Sequence, residues 1–337
     1  MQIEEYLSAD MLKQSIIDMP LDSNLYVANV PNDVYHGSLG WSSSHGKKAS
    51  LSEQRLYMYM QDQKKSGPQS HFVFGELTHD CIRFNQAQID DLYCDTVTLP
   101  KGQTNLGKAM KAVVESGHTL KLLDAGFNLK PEAVAEGNAL LDEINGRQVI
   151  SRTAKREARE LADAVLNQYT VKDALNNNAA IYELSIWHKM KDGFIRKCRP
   201  DCYLPDQKVV FDWKTIRELV WTYSLGNNRH TFIYREIKRE MEKRDYGFSA
   251  GWYMDILDII DDGAFFFVFA DKDALEVYPP YLCGQDELHE ERQRCCQAIK
   301  NIKSMKSKIV EGKVIEPLST FLHNDDHIFH GNTKEFL

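Results

Sequence analysis

The stretch from Ala180 to Lys214 constrains this chain more than any other. Ala180-Ile-Tyr-Glu-Leu-Ser-Ile-Trp-His188 alternates and is rich in β-formers, and Asp192-Gly193 is a strong hairpin turn. Phe194 to Leu204 reads as a second strand, Pro205-Asp206-Gln207 as a turn, and Lys208 to Lys214 as a third strand. The apolar run Ala264 to Ala270 has the length of a buried strand. Helical patterns frame these strands. Ser151 caps an amphipathic helix whose Ala154, Ala158, Leu161, Ala162, Val165 and Leu166 form one buried face. Phe72 to Phe84 reads as a helix with Gly75 and His79 one turn apart, and Tyr246 to Ile260 as one with Phe248, Trp252, Ile256 and Ile259 on one side. A basic helix is expected over roughly 285–311. Another begins near Ser50, runs through Met60, and is ended by Gly67-Pro68. The first forty residues read as turns and short extended pieces, and 101–148 as polar helices and loops. Strands framed by long helices predict an α/β fold, a mixed central sheet flanked by helices.

Length and charge bound the rest. The chain has 337 residues, 41 Lys plus Arg and 49 Asp plus Glu, for a net charge of −8. It is long enough to bury a sizeable core, and no linker or repeat divides it, so one domain is expected over 1–337. No stretch approaches the ~18 apolar residues of a membrane span, and the acidic start MQIEEYLSAD lacks the pattern of a signal peptide. A cytoplasmic location is the expectation. The seven cysteines are then expected as free thiols.

Asp201 and Asp212 carry the chemistry. Strand side chains alternate, so Asp212 and Lys214 share a face and Trp213 points to the other. With Asp206 and Gln207 as the loop, 201 pairs with 212; with Pro205 and Asp206 as the loop, the register moves by two. Either way the two carboxylates are opposite or diagonal, ~5 Å apart at Cβ when opposed. They repel unless a cation sits between them. Mg²⁺, with Mn²⁺ as a substitute, is the natural candidate, a hard ion taking oxygen ligands at ~2.1 Å. Glu183, on the neighbouring strand, serves a second metal or else pairs with Arg196 or Arg199.

Pro200-Asp201, ten residues, then Asp212-Trp213-Lys214 is the pattern of the PD-(D/E)XK nucleases. Further motifs appear in order: Gly75-Glu-Leu-Thr-His79, Ile181-Tyr-Glu183, Cys198-Arg-Pro-Asp201, Asp212-Trp-Lys214-Thr215, and upstream Pro31-Asn-Asp-Val-Tyr-His36 and Trp41-Ser-Ser-Ser44. Over roughly residues 30–260 the chain resembles RecE-type exonucleases (exonuclease VIII), relatives of the RecB nuclease and, more distantly, of the lambda exonuclease. The resemblance implies an enzyme of a phage or mobile element that hydrolyses DNA phosphodiesters. Its metals are implied on Asp201, Asp212, His79, Glu183 and the Trp213 main-chain carbonyl, with Lys214 acting on water or on phosphate charge. As a general base Lys214 would need a lowered pKa. DNA contacts are expected from Ser42, Ser44, Arg199 and Tyr253, and from Lys303 and Lys306 of the basic helix. The family carries Q-x-x-x-Y where this chain has Ser249 and Tyr253, so the glutamine's role is in doubt.

The resemblance also implies 5′ to 3′ digestion of linear duplex to a 3′ single strand for recombination by annealing. It implies a homo-oligomeric ring and an annealing recombinase as partner. Within the single domain, 1–70 would be an N-terminal lead-in, 71–100 and 149–280 the catalytic core, 101–148 a helical insertion, and 281–337 a basic helix and tail. Locally basic segments, 229–244 at net +3 and 293–313 at net +5, would meet phosphates or else form solvated faces. Alternatives are an iron–sulfur nuclease, for which Cys283, Cys295 and Cys296 are badly spaced, a site- or structure-specific endonuclease, and an inactive DNA-binding relative.

Overall fold

The computed structural model describes residues 1–63, 70–115, 120–176, 179–216 and 229–311. The Gly67-Pro68 helix stop and Lys313 lie outside these residues. The chain opens with β1 (Ile3–Glu5), α1 (Ala9–Asp18), β2 (Ser23–Ala28) and α2 (Asn32–Gly37). Helices α3 (Ser43–Leu51), α4 (Glu53–Gln63), α5 (Ser70–Arg83) and α6 (Gln86–Leu92) follow. Next come β3 (Tyr93–Cys94), α7 (Asn105–Glu115), α8 (Pro131–Ile144), β4 (Gln148–Val149), α9 (Arg152–Asn167) and α10 (Tyr169–Asn176). Five strands succeed them: β5 (Ile181–Tyr182), β6 (Ser185–Lys189), β7 (Ile195–Cys198), β8 (Cys202–Leu204) and β9 (Val209–Ile216). The described chain closes with α11 (Arg229–Arg244), α12 (Tyr246–Leu257), β10 (Ala264–Asp271), β11 (Glu276–Val277), β12 (Tyr281–Leu282) and α13 (Gln285–Val310). It is an α/β fold of mixed sheets flanked by helices.

Two compact units make up the chain. The first comprises residues 1–69, 169–269 and 278–337, and the second 70–168 and 270–277. The expected insertion 101–148 therefore belongs to a larger helical unit that also takes in 70–100 and 149–168.

The first unit holds two sheets. One runs β1-β2-β6-β7, with β1 parallel to β2 and the other pairs antiparallel. In the other, β10, β9, β8 and β5 lie side by side, and β12 pairs with β10. The strand runs read from the sequence are interrupted. The backbone of Glu183, at φ 52°, breaks 180–188 into β5 and β6, which go to different sheets. Arg199-Pro200-Asp201 likewise breaks 194–204 into β7 and β8. Proline has no N–H to give to a ladder, so it marks such breaks.

The opening segment differs from expectation too. It contains the helix α1, capped by Ser8 and burying Leu12 and Ile16, and the six-residue strand β2. The helix expected to begin near Ser50 is two helices, broken at Ser52. Of the twelve residues of α12, nine are buried, so that helix is enclosed rather than apolar on one side. Glycine makes this possible. A Cβ at Gly46 would lie 2.7 Å from the Phe248 ring, and one at Gly251 2.7 Å from Glu291 Cβ, so α3 and α13 approach α12 directly.

In the second unit α5 packs on α9, whose cap accepts the Ala154 N–H on the Ser151 hydroxyl at 3.0 Å. Ala158, Leu161, Ala162 and Val165 are buried as the periodicity predicts. A separate apolar cluster joins α7 and α8 through Leu106, Met110, Val113, Leu122 and Ile144. The end of β10 turns back as a short antiparallel pair with β11. Among the described residues, no helix is long and apolar enough to cross a membrane.

Candidate metal and phosphate site

The β8–β9 hairpin sets the site. Its register pairs Cys202 with Phe211, Tyr203 with Val210 and Leu204 with Val209. Continued by one residue, this ladder puts position 201 opposite 212, the first of the two placements the sequence allowed. Asp201 is held from both neighbours. The Trp213 N–H donates to its Oδ2 at 2.7 Å, and its carbonyl accepts the Glu183 N–H at 3.1 Å. Glu183 adopts the left-handed backbone here, a conformation that costs a residue with a Cβ on the order of 1–2 kcal/mol and that recurs at functional sites. It brings a Glu183 carboxylate oxygen within 4.8 Å of one on Asp201. Glu183 also lies 3.8 Å from Arg199 Nη1, so its ion pair with Arg199 coexists with its place at the acid cluster.

Asp212 is 3% exposed and ion-paired with Lys214 two residues on. Its carboxyl is also hydrogen-bonded to that of Asp201. Two touching carboxylates out of water cannot both ionise cheaply. Burial pushes the Asp201 carboxyl up, against the pull of Lys214, the Trp213 N–H and the hydrogen bond to Asp212. Burial would lower Lys214, but Asp212 and Asp201 outweigh it and hold the amine above its ordinary value. In these surroundings Lys214 is a cation, suited to binding an anionic oxygen rather than to taking a proton.

The donor chemistry fits a hard divalent ion. Glu183, Asp201 and Asp212 offer carboxylate oxygens alone. Burial pushes the neighbouring Cys202 thiol up to about 12, which keeps it protonated and a poor ligand. On α13, Cys295 is buried and Cys296 exposed, so these adjacent thiols point apart.

The other expected residues are distributed as follows. His79 is half-buried on α5 of the second unit. The Ser42 hydroxyl is 2.8 Å from His45 Nδ1 at the start of α3, while Ser44 is exposed. Arg199, expected at DNA, is turned inward. Its guanidinium donates to Ser185 Oγ and to the Val30 carbonyl, each at 2.9 Å, and stacks 4.0 Å from the Tyr35 ring centroid. Tyr253 packs edge-on against Phe265, and burial holds its phenol well above the ordinary value. Ser249, in the glutamine's place, is buried.

The basic helices have largely answered their own charge. On α11, Arg239 pairs with Glu236, and Lys243 and Arg244 pair with Glu240. On α13, Arg294 pairs with Asp245 and Glu291, Lys303 with Asp192 and Lys308 with Glu53. Lys306 is half-buried. Two residues of the first unit to which the sequence gives no site role stand beside it: Tyr246, whose ring centroid is 5.2 Å from the Lys214 ammonium, and Lys47, 5.3 Å from the same centroid. The Gly46 in a helical stretch beside Lys47 was the available signal, because an interior helical glycine often marks a close approach.

The family described as "PDDEXK-like domain of unknown function (DUF3799)" matches residues 42–316. A solved structure from Eubacterium rectale, described as "Putative exonuclease", is similar at 10% identity. The match covers 90% of this chain and 96% of that one, with a TM-score of 0.46. No curated protein matches the chain.

Proposed function

We propose, from the premise that this chain belongs to the PDDEXK-like family DUF3799, that it is a nuclease dependent on a divalent metal and acting on DNA. The observation that carries this reading is the corner where Asp201, Asp212 and Lys214 meet across the β8–β9 hairpin, with Glu183 at the break between β5 and β6. Glu183, Asp201 and Asp212 would hold the metal, of the Mg²⁺ or Mn²⁺ class. The resemblance adds His79 and the Trp213 carbonyl as further ligands. When bound, such an ion polarises the scissile phosphate and lowers the pKa of the attacking water. The chain's own groups do the rest. The Trp213 N–H fixes the Asp201 carboxylate in place. Lys214 presents a fixed ammonium to a non-bridging phosphate oxygen and offsets the charge that grows there during displacement.

The resemblance to RecE-type enzymes supports the finer reading: exonucleolytic digestion of linear duplex from 5′ ends, leaving 3′ single strands for annealing. On that reading the chain works as a homo-oligomer beside a single-strand annealing protein, as part of a phage or mobile element. The test is digestion of linear duplex labelled at one 5′ or one 3′ end, with Mg²⁺ and with chelator. Expected are loss of the 5′ label first, arrest by chelator, and sparing of covalently closed circles. Cleavage of closed circles would turn the reading to an endonuclease. No cleavage of any DNA with Mg²⁺ or Mn²⁺ would overturn it. An His79→Ala variant as active as the parent would remove the histidine from the ligand set.

A further inference from the structure

Lys47 sits on α3 directly after Gly46, where the missing Cβ lets that helix rest on the Phe248 ring of α12. The contact carries the Lys47 ammonium to Tyr246, the first residue of α12. Two ammonium groups, those of Lys47 and Lys214, therefore lie 5.3 Å and 5.2 Å from the centroid of one aromatic ring. An aromatic face attracts each cation but does not cancel their mutual repulsion. Their surroundings differ. Asp212 answers the charge of Lys214. Lys47 donates to the Arg244 main-chain carbonyl at 3.3 Å, and no carboxylate among the described residues lies within ion-pair distance of it. Burial, reinforced by the charge of Lys214 and only partly opposed by the carboxylates of Asp245, Asp212 and Glu291 beyond ion-pair distance, pushes Lys47 down to about 8. A half-buried cation set beside another cation, with no acid within ion-pair distance, is a costly arrangement in the free protein. It becomes favourable once an anion arrives.

We propose that Lys47 is a phosphate-contacting residue: its ammonium binds a non-bridging oxygen of a nucleic-acid backbone phosphate beside the one Lys214 faces. The inference rests on the nuclease reading above and deepens it, adding a contact from α3 that is blind to base sequence. Such a contact strengthens binding uniformly and releases counterions on association.

The test is equilibrium binding of a short duplex DNA to the full chain across a salt series. An Asp212→Asn background keeps the probe uncut. Substituting Lys47→Gln should weaken binding by about fivefold to tenfold on every sequence and lower the slope of log affinity against log salt by about one. Lys47→Arg should restore both. Thermal unfolding of each variant separates a lost contact from a lost fold, and Lys47→Arg reads the contact even where Lys47→Gln is unstable. A folded Lys47→Gln chain with unchanged affinity and slope overturns the inference, as does a Lys47→Arg chain that binds no better than Lys47→Gln. A parent that cleaves DNA while the slope is unmoved sinks the Lys47 contact and leaves the nuclease reading standing. A parent that cleaves nothing but binds with the predicted slope change does the reverse. A parent that binds no DNA sinks both.

Discussion

Lys197 and Lys214 are strand lysines of the same unit, each near a tyrosine ring, yet their charges are treated in opposite ways. Lys197, on β7, is 2% exposed and sits in a cage of oxygens from the end of α2. It donates to the carbonyls of Tyr35 (2.7 Å), Ser38 (2.8 Å) and His36 (3.2 Å), and to the Ser38 hydroxyl (3.2 Å). Burial, with the nearby Arg199, still pushes it down to about 8. Lys214 is ion-paired with Asp212 beside Asp201 and is held up. The difference shows what compensates a buried ammonium. Dipoles satisfy its hydrogens but not its lost hydration, whereas opposite charge outweighs both. The first lysine is thus a fastener, tying β7 to the chain around α2. The second is a charge kept available for an anion.

Substitutions can break that division of labour. The largest effect is expected at the second lysine: Lys214→Ala, or Asp212→Ala beside it, should lower degradation of linear duplex by about a hundredfold or more. The chain should still unfold cooperatively. Undiminished turnover in either variant would mean the corner is not catalytic. At the first lysine the loss should appear in stability instead. Lys197→Met strands several buried carbonyls and should cost about 2–4 kcal/mol in chemical denaturation, with turnover per folded molecule retained. Equal loss of turnover per folded molecule would collapse the contrast.

The pH dependence of stability sharpens it further. The folded value of Lys197 lies below its ordinary 10.5, so between about 8 and 10.5 the unfolded chain holds a proton that the folded chain has released. This group alone makes stability rise with pH across that window, and contributes no slope below it. Lys197→Met should remove that rising component, and a variant with the parent's slope would show that Lys197 is not depressed. The smallest effect is expected at Ser38→Ala, which deletes one acceptor of the four and should cost about 1 kcal/mol.

The sequence disclosed local chemistry well and long-range chemistry poorly. Gly193, at φ 80°, makes the Asp192-Gly193 turn as its composition predicts. Ser151 caps α9 through the Ala154 N–H. The 201/212 opposition follows from counting along one hairpin. Each of these depends on residues near one another in the chain. The helix α1 has no clear signature in the sequence because only Leu12 and Ile16 of its ten residues are buried, too few to print a periodic face. The break at Glu183 has none because a left-handed backbone at a residue with a Cβ leaves no compositional trace. The cage around Lys197 joins positions about 160 apart, and Lys47 meets Tyr246 across about 200. No pattern along the chain encodes such meetings.

The hairpin register also makes the site unequally tolerant of added length. Asp206 and Gln207, at the exposed tip of the hairpin, lie beyond its last pair, Leu204 with Val209. Polypeptide spliced between them leaves every pairing as it was, and Asp201 still meets Asp212. A single residue spliced between Val209 and Phe211 instead reverses the parity of β9 from there on. It turns Asp212 through the sheet and delivers its neighbour Phe211 to the place where a carboxylate belongs. The tip is thus a natural port for a fluorophore loop or an affinity tag, while four residues away the chain is indexed to the residue.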